Sequence, residues 1–195
     1  MQTVILDACV LYPAGLRDFL LRLVEAGVFR GHMSRHILDE CFRSVERDRP
    51  ELGPKLRRTR EIVETAFADL IVADYEHLIE GLELPDPNDR HVLAAAISAD
   101  AAIIVTFNLK DFPSERLAQY GVTAVHPDAF VLACIEAGPE VVVEVLRAQA
   151  AGLRNPPETT DRLIRRLSDQ GLSRSALACR AIAASPARDR RDGDE

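Results

Sequence analysis

At 195 residues with 47% apolar side chains, the chain has material for one packed core but no run approaching the roughly 18 apolar residues of a membrane span. The net charge of −7 argues against a uniformly basic nucleic-acid binder. Cys9, Cys41, Cys134 and Cys179 lie too far apart for a Cys-x-x-Cys zinc or redox motif, which leaves free and mostly buried thiols. The N-terminus enters a strand pattern directly, without a charged and then apolar leader, so a cytoplasmic location away from membranes is expected.

The first strand pattern, Thr3-Val4-Ile5-Leu6, stops at Asp7. Gly15 to Ala26 has helical spacing, with Phe19, Leu20, Leu23 and Val24 inward and Gly27 closing it. Val28 to Met33 predicts a second strand. Ser34 then serves as the N-cap of a helix whose inner face is Ile37, Leu38, Cys41, Phe42 and Val45, with Glu40 on the flank of that stripe. Pro50 and Pro54 bracket a break, and Lys55 to Leu70 predicts a helix with Leu56, Ile62, Val63, Ala66 and Phe67 inside. Val72 to Tyr75 is too short to assign. Leu84 to Asp89 reads as a turn, with Asn88 or Asp89 capping a buried helix from Arg90 to Ala99. Strands at Ile103 to Thr106 and Val122 to Val125 follow, and Pro127 opens a helix reaching about Ala137.

This alternation predicts an α/β fold, a parallel sheet with helices on both faces, over residues 1–137. Beyond Gly138-Pro139 the pattern is helical only, at 141–151, 160–169 and 173–184, giving a helical extension over 138–184. Residues 185–195 lack apolar content and are expected to be disordered.

Five carboxylates, Asp7, Glu40, Asp86, Asp89 and Asp111, sit where an apolar run stops or a helix starts. Ligand sites of open α/β sheets form at the carboxyl ends of the strands, so these acids converge if the strands are parallel neighbours. A carboxylate-rich, nitrogen-poor donor set suits Mg2+ or Mn2+ better than zinc. Neither a Gly-x-Gly-x-x-Gly nor a Walker-type loop follows the first strand, which leaves a nucleotide without a cradle. The charge sign reverses locally: Arg43, Arg47, Arg49, Lys55, Arg57, Arg58 and Arg60 face only Glu46, Asp48 and Glu51, a surplus that can hold phosphates or form a solvated helical hairpin.

The segments Ile5-Leu6-Asp7-Ala8-Cys9, the early-helix Glu40, Asp86-Pro87-Asn88-Asp89-Arg90-His91 and Val105-Thr106-Phe107-Asn108-Leu109-Lys110-Asp111 resemble the four acidic motifs of PIN-domain ribonucleases, particularly VapC-type toxins, over about the first 130 residues. The resemblance implies a PIN-like fold and a Mg2+- or Mn2+-dependent endoribonuclease acting on RNA. It also implies a cognate antitoxin protein as partner, and a homodimer. On the same ground Asp7, Glu40, Asp89 and Asp111 are the expected metal ligands and catalytic acids, with Asp86 and Asn108 as further candidates. Many family members carry Asp where Asn108 stands, so Asp111 takes the acidic role and Asn108 becomes its neutral partner. Cys9 replaces a frequent Asn or Ser and is expected to loosen the support of Asp7, because a thiol bonds weakly. Thr106 is expected to contribute a hydroxyl near the acids, while Arg90 and His91 read as surface residues able to reach a phosphate. The alternatives are a nuclease of structured RNA or DNA without a toxin role, and a catalytically degenerate module that binds RNA or protein.

Overall fold

The computed structural model describes residues 2–184, so the tail at 185–195 that was expected to be disordered lies outside the described residues. Strands β1 (Thr3–Leu6), β2 (Arg30–Ser34), β3 (Ile71–Val72), β4 (Ile103–Val105) and β5 (Thr123–Val125) form an all-parallel sheet in the order β3-β2-β1-β4-β5. Central β1 is covered on both faces, with Val4, Ile5 and Leu6 fully buried, as a parallel sheet between helices requires. Leu6 sits opposite Val105, so Asp7 and Thr106 leave the sheet side by side.

The helices follow from the crossovers between parallel strands. Helices α1 (Ala8–Leu11) and α2 (Ala14–Glu25) join β1 to β2. Helices α3 (Arg35–Asp48) and α4 (Gly53–Ala66) lead to β3, α5 (Arg90–Ser98) to β4, and α6 (Ser114–Leu117) to β5. The chain builds outward from β1 through β2 to β3, then returns to β1's other side for β4 and β5. The order in which strands are added therefore reverses between β1 and β4, the place where doubly wound sheets open a crevice. Helix α5 makes that return with His91 through Ala96 buried.

Two expectations change. The unassigned stretch near Val72 contributes a fifth strand, too short to carry a period of its own and defined by pairing, Met33 with Ile71 and Ser34 with Val72. The helix expected over Lys55 to Leu70 ends at Ala66, and a separate tight turn follows at Ala68–Leu70. Of its expected inner face only Val63 is buried, while Ile62 is 56% exposed and Ala66 also faces out. This helix packs mainly on α3, so one narrow stripe suffices.

Helices α7 (Pro127–Ala137), α8 (Pro139–Gly152), α9 (Thr160–Asp169) and α10 (Ser173–Ala184) complete the described chain. Val142, Leu146, Leu163, Ile164, Leu167, Leu172 and Cys179 are buried in a core continuous with that of the sheet. Gln149 Nε2 donates to the Gly15 carbonyl at 2.9 Å, tying α8 to α2. Asp128, buried in the first turn of α7, accepts from Ser175 N (2.9 Å), Ser175 Oγ (2.8 Å) and Arg174 N (3.3 Å), so it caps α10 from another element. Burial pushes its carboxyl up, but these donors outweigh burial and hold it below the ordinary value. All four cysteines are free, and three of them are buried.

Candidate active site

Asp7 anchors the site because it ends the central strand. Its Oδ1 accepts from Ala8 N at 2.6 Å, capping α1, and its Oδ2 accepts from Thr106 Oγ1 at 2.7 Å and Cys9 Sγ at 3.1 Å. Burial pushes the Asp7 carboxyl above its ordinary value; Thr106 and Cys9 oppose this, and the charge of Glu40 adds to it. Thr106, fully buried, also accepts from Asn108 N at 2.9 Å. Cys9 bridges the two strand ends. Its sulfur lies 3.3 Å from Thr106 Oγ1 and accepts from Phe107 N at 3.2 Å, joining the ends of β1 and β4. Burial and the neighbouring Asp7 push its thiol up to about 12, so the hydrogen stays on sulfur for donation.

Asp89 stands at the start of α5, as expected, but its side chain makes no capping bond. Its Oδ2 is buried without a hydrogen-bond partner. Its carboxyl is pushed up to about 7, first by burial and then by the charges of Asp7, Asp86, Glu40 and Asp111. All five acids singled out in the sequence therefore act on one place. The cap in this turn is Asp86, whose Oδ1 accepts from Asn88 N at 2.8 Å.

Glu40 lies one turn into α3 and is joined to α5 through a residue expected at the surface. His91 is only 3% exposed, and its Nε2 donates to Glu40 Oε2 at 3.2 Å. The His36 ring stacks on His91, with centroids 3.8 Å apart and planes 17° from parallel, while His91 Nδ1 is buried without a partner. Burial and the adjacent His91 lower the pKa of His36. The spacing of His36 and Glu40 placed them on one helix face, but no local pattern tells that His91 turns inward toward them.

Asn108 and Asp111 occupy one turn after β4, and Asn108 Nδ2 donates to Asp111 Oδ2. Arg90 is half-buried with Nε unpartnered. The basic surplus divides: Arg43 and Arg47 line an open groove of about 560 Å3 with His36, Glu40, Asn88 and His91. Arg60 is instead consumed by ion pairs to Asp39 and Glu64.

The acids supply oxygen donors in a negative field, and the unpartnered buried oxygen of Asp89 is met there either by a retained proton or by a hard divalent cation. Among the described residues, no group of three or more His, Cys, Asp or Glu side chains is placed to hold a metal ion. The acids ring the strand ends without meeting at one point. No helix among the described residues is long and apolar enough to cross a membrane.

Residues 3–110 match the family model "PIN domain", and residues 127–181 match "VapC50 C-terminal domain". The chain is 38% identical over 110 residues to the Mycobacterium tuberculosis (strain ATCC 25618 / H37Rv) protein named "Putative ribonuclease VapC50". The matched stretch covers 54% of this chain and 60% of that relative, less than two thirds of its length. No solved structure matches the chain. The parallel five-stranded sheet, the acids at its carboxyl edge and the match over more than half its length show that the chain belongs to the PIN-domain family.

Proposed function

We propose that this protein is a Mg2+- or Mn2+-dependent endoribonuclease, the toxin of a toxin-antitoxin pair, with residues 1–137 as the nuclease unit and 138–184 as an appended helical module. The observation that carries the reading is Asp89: a buried, unpartnered carboxylate oxygen in the field of four other acids. Asp7, Glu40, Asp89 and Asp111 would hold the ion, with Asp86 and Asn108 beside them. When bound, such an ion supplies charge neutralisation at a phosphodiester and an activated water.

The chain's own residues do the rest. Thr106 and Cys9 orient the Asp7 carboxylate, Asn108 orients Asp111, and His91 holds one oxygen of Glu40. Cys9 and Asn108, the departures that suggested a degenerate binding module, are both bonded to site acids, which supports the enzymatic reading.

Incubating the purified chain with an end-labelled single-stranded RNA in Mg2+, Mn2+ or EDTA tests this. Cleavage only with the cation is expected; intact RNA throughout, together with no Mn2+ binding, would end the reading. RNA as substrate, a cognate antitoxin, a homodimer and a cytoplasmic location belong to the same proposal. Co-expression with the product of a small neighbouring reading frame tests the partnership: suppressed cleavage and co-purification support it, and cleavage unaffected by that product counts against it.

A further inference from the structure

We propose that the α3 stripe His36, Glu40, Arg43 and Arg47 forms a subsite for single-stranded RNA, in which an unpaired base stacks on His36 and the two arginines hold flanking phosphates. The inference rests on the nuclease reading and names how its substrate is gripped. Spacings of four, three and four residues put these side chains on one helix face. All four line the same groove, in which Glu40 is the one acid of the candidate active site.

His36 is exposed, yet one face of its ring lies flat on His91. His91 is itself buried in α5 and bonded to Glu40. The exposed face of His36 is therefore a fixed aromatic plane, and an incoming base loses little by ordering it. Bases in a duplex have their faces covered, whereas an unpaired base offers one, and stacking of this kind tolerates any sequence. Arg43 is tethered through Nε to the Asp39 carbonyl at 3.1 Å, and Arg47 through Nε to Asp48 at 3.3 Å. Each keeps two terminal nitrogens as phosphate donors.

The test measures binding, separate from cleavage, by fluorescence anisotropy on the full chain carrying Asp7→Asn, repeated with the wild-type chain in EDTA. The probes are a short mixed-sequence single-stranded RNA, the same length of fully abasic oligoribonucleotide, and an RNA duplex. His36→Ala should weaken binding of the base-bearing strand by about 5- to 150-fold. It should leave the abasic strand unchanged, and His36→Phe should restore the loss. Arg43→Ala and Arg47→Ala should weaken both strands alike, each lowering the salt slope by about 0.7. Equal losses on abasic and base-bearing strands would reduce His36 to support of the fold and overturn the proposal. So would an unaffected His36→Ala, a duplex bound as tightly as the single strand, or no RNA binding by the parent chain. A wild type that cleaves RNA with no role for His36 sinks this subsite alone; a chain that binds through His36 but never cleaves sinks the nuclease reading alone.

Discussion

Replacing Thr106 by Val keeps the shape of a fully buried side chain and removes one hydroxyl. That hydroxyl donates to Asp7 Oδ2 at 2.7 Å and accepts from Asn108 N at 2.9 Å. Burial pushes the Asp7 carboxyl up and the Thr106 hydroxyl opposes that rise; a hydrogen bond contributes about 0.5–1.5 kcal/mol to a neutral acceptor and about 1.5–3 kcal/mol to an ionised one. A bound cation would draw Asp7 toward the ionised form, so the hydroxyl matters more with the cation than without it. The substitution should therefore lower cation-free stability by about 1–2 kcal/mol, counting the half-buried Asn108 N–H it strands. Cation affinity should fall, at most by the difference between a neutral and an ionised acceptor, about 5- to 15-fold. Urea unfolding in EDTA and calorimetric Mn2+ titration at neutral pH measure the two quantities on one preparation. A Thr106→Val protein that binds Mn2+ as tightly as wild type would refute the reasoning, whatever its stability.

Asp128→Ala removes the acceptor of three donors at the start of α10 and strands the buried Ser175 N–H, so a loss of about 2–4 kcal/mol is expected, roughly 5–15 °C in Tm; a melt within about 1 °C of wild type would show that this cap does not hold the extension. The Asp89 carboxyl titrates near 7 in the fold against an ordinary 3.8, so the fold retains a proton that the unfolded chain has already released. That stabilisation is complete below the ordinary value and is lost as pH rises through about 7, so Tm in EDTA should fall more steeply across this range for wild type than for Asp89→Asn. Comparing the two chains separates this carboxyl from His32 and His36, whose lowered pKa values act in the opposite sense. Saturating Mn2+ should flatten the wild-type profile; identical slopes for both chains in EDTA would contradict the assignment.

Much of the fold is written in local pattern. Val4-Ile5-Leu6 and Ile103-Ile104-Val105 are apolar runs ended by polar residues, and their parallel pairing carries Asp7 and Thr106 to one edge. Glu40 and Asp89 could be placed because a helix after a parallel strand starts at that same edge. What stayed hidden depends on contacts distant in sequence. Two-residue β3 exists only through pairing with β2. The outward face of Ile62 follows from α4 having one main neighbour. His91 sits in a helix buried on most sides, where nothing local says whether its ring meets solvent or Glu40. The helical character of the extension was legible, but its shared core with α2 depends on contacts such as Gln149 to Gly15. The contacts of Cys9 are equally non-local, since the fold surrounds its sulfur with Asp7, Thr106 and Phe107.

The claim that the acids at the carboxyl edge of the sheet perform metal-dependent hydrolysis is met most directly by single-turnover cleavage of an end-labelled single-stranded RNA in Mn2+. Wild type would be compared with Asp89→Asn, a change that keeps side-chain size and removes the charge from the unpartnered oxygen. Metal-dependent hydrolysis through Asp89 predicts cation-dependent cleavage by wild type and cleavage at the background rate by a folded Asp89→Asn. Cleavage by Asp89→Asn at the wild-type rate would contradict it.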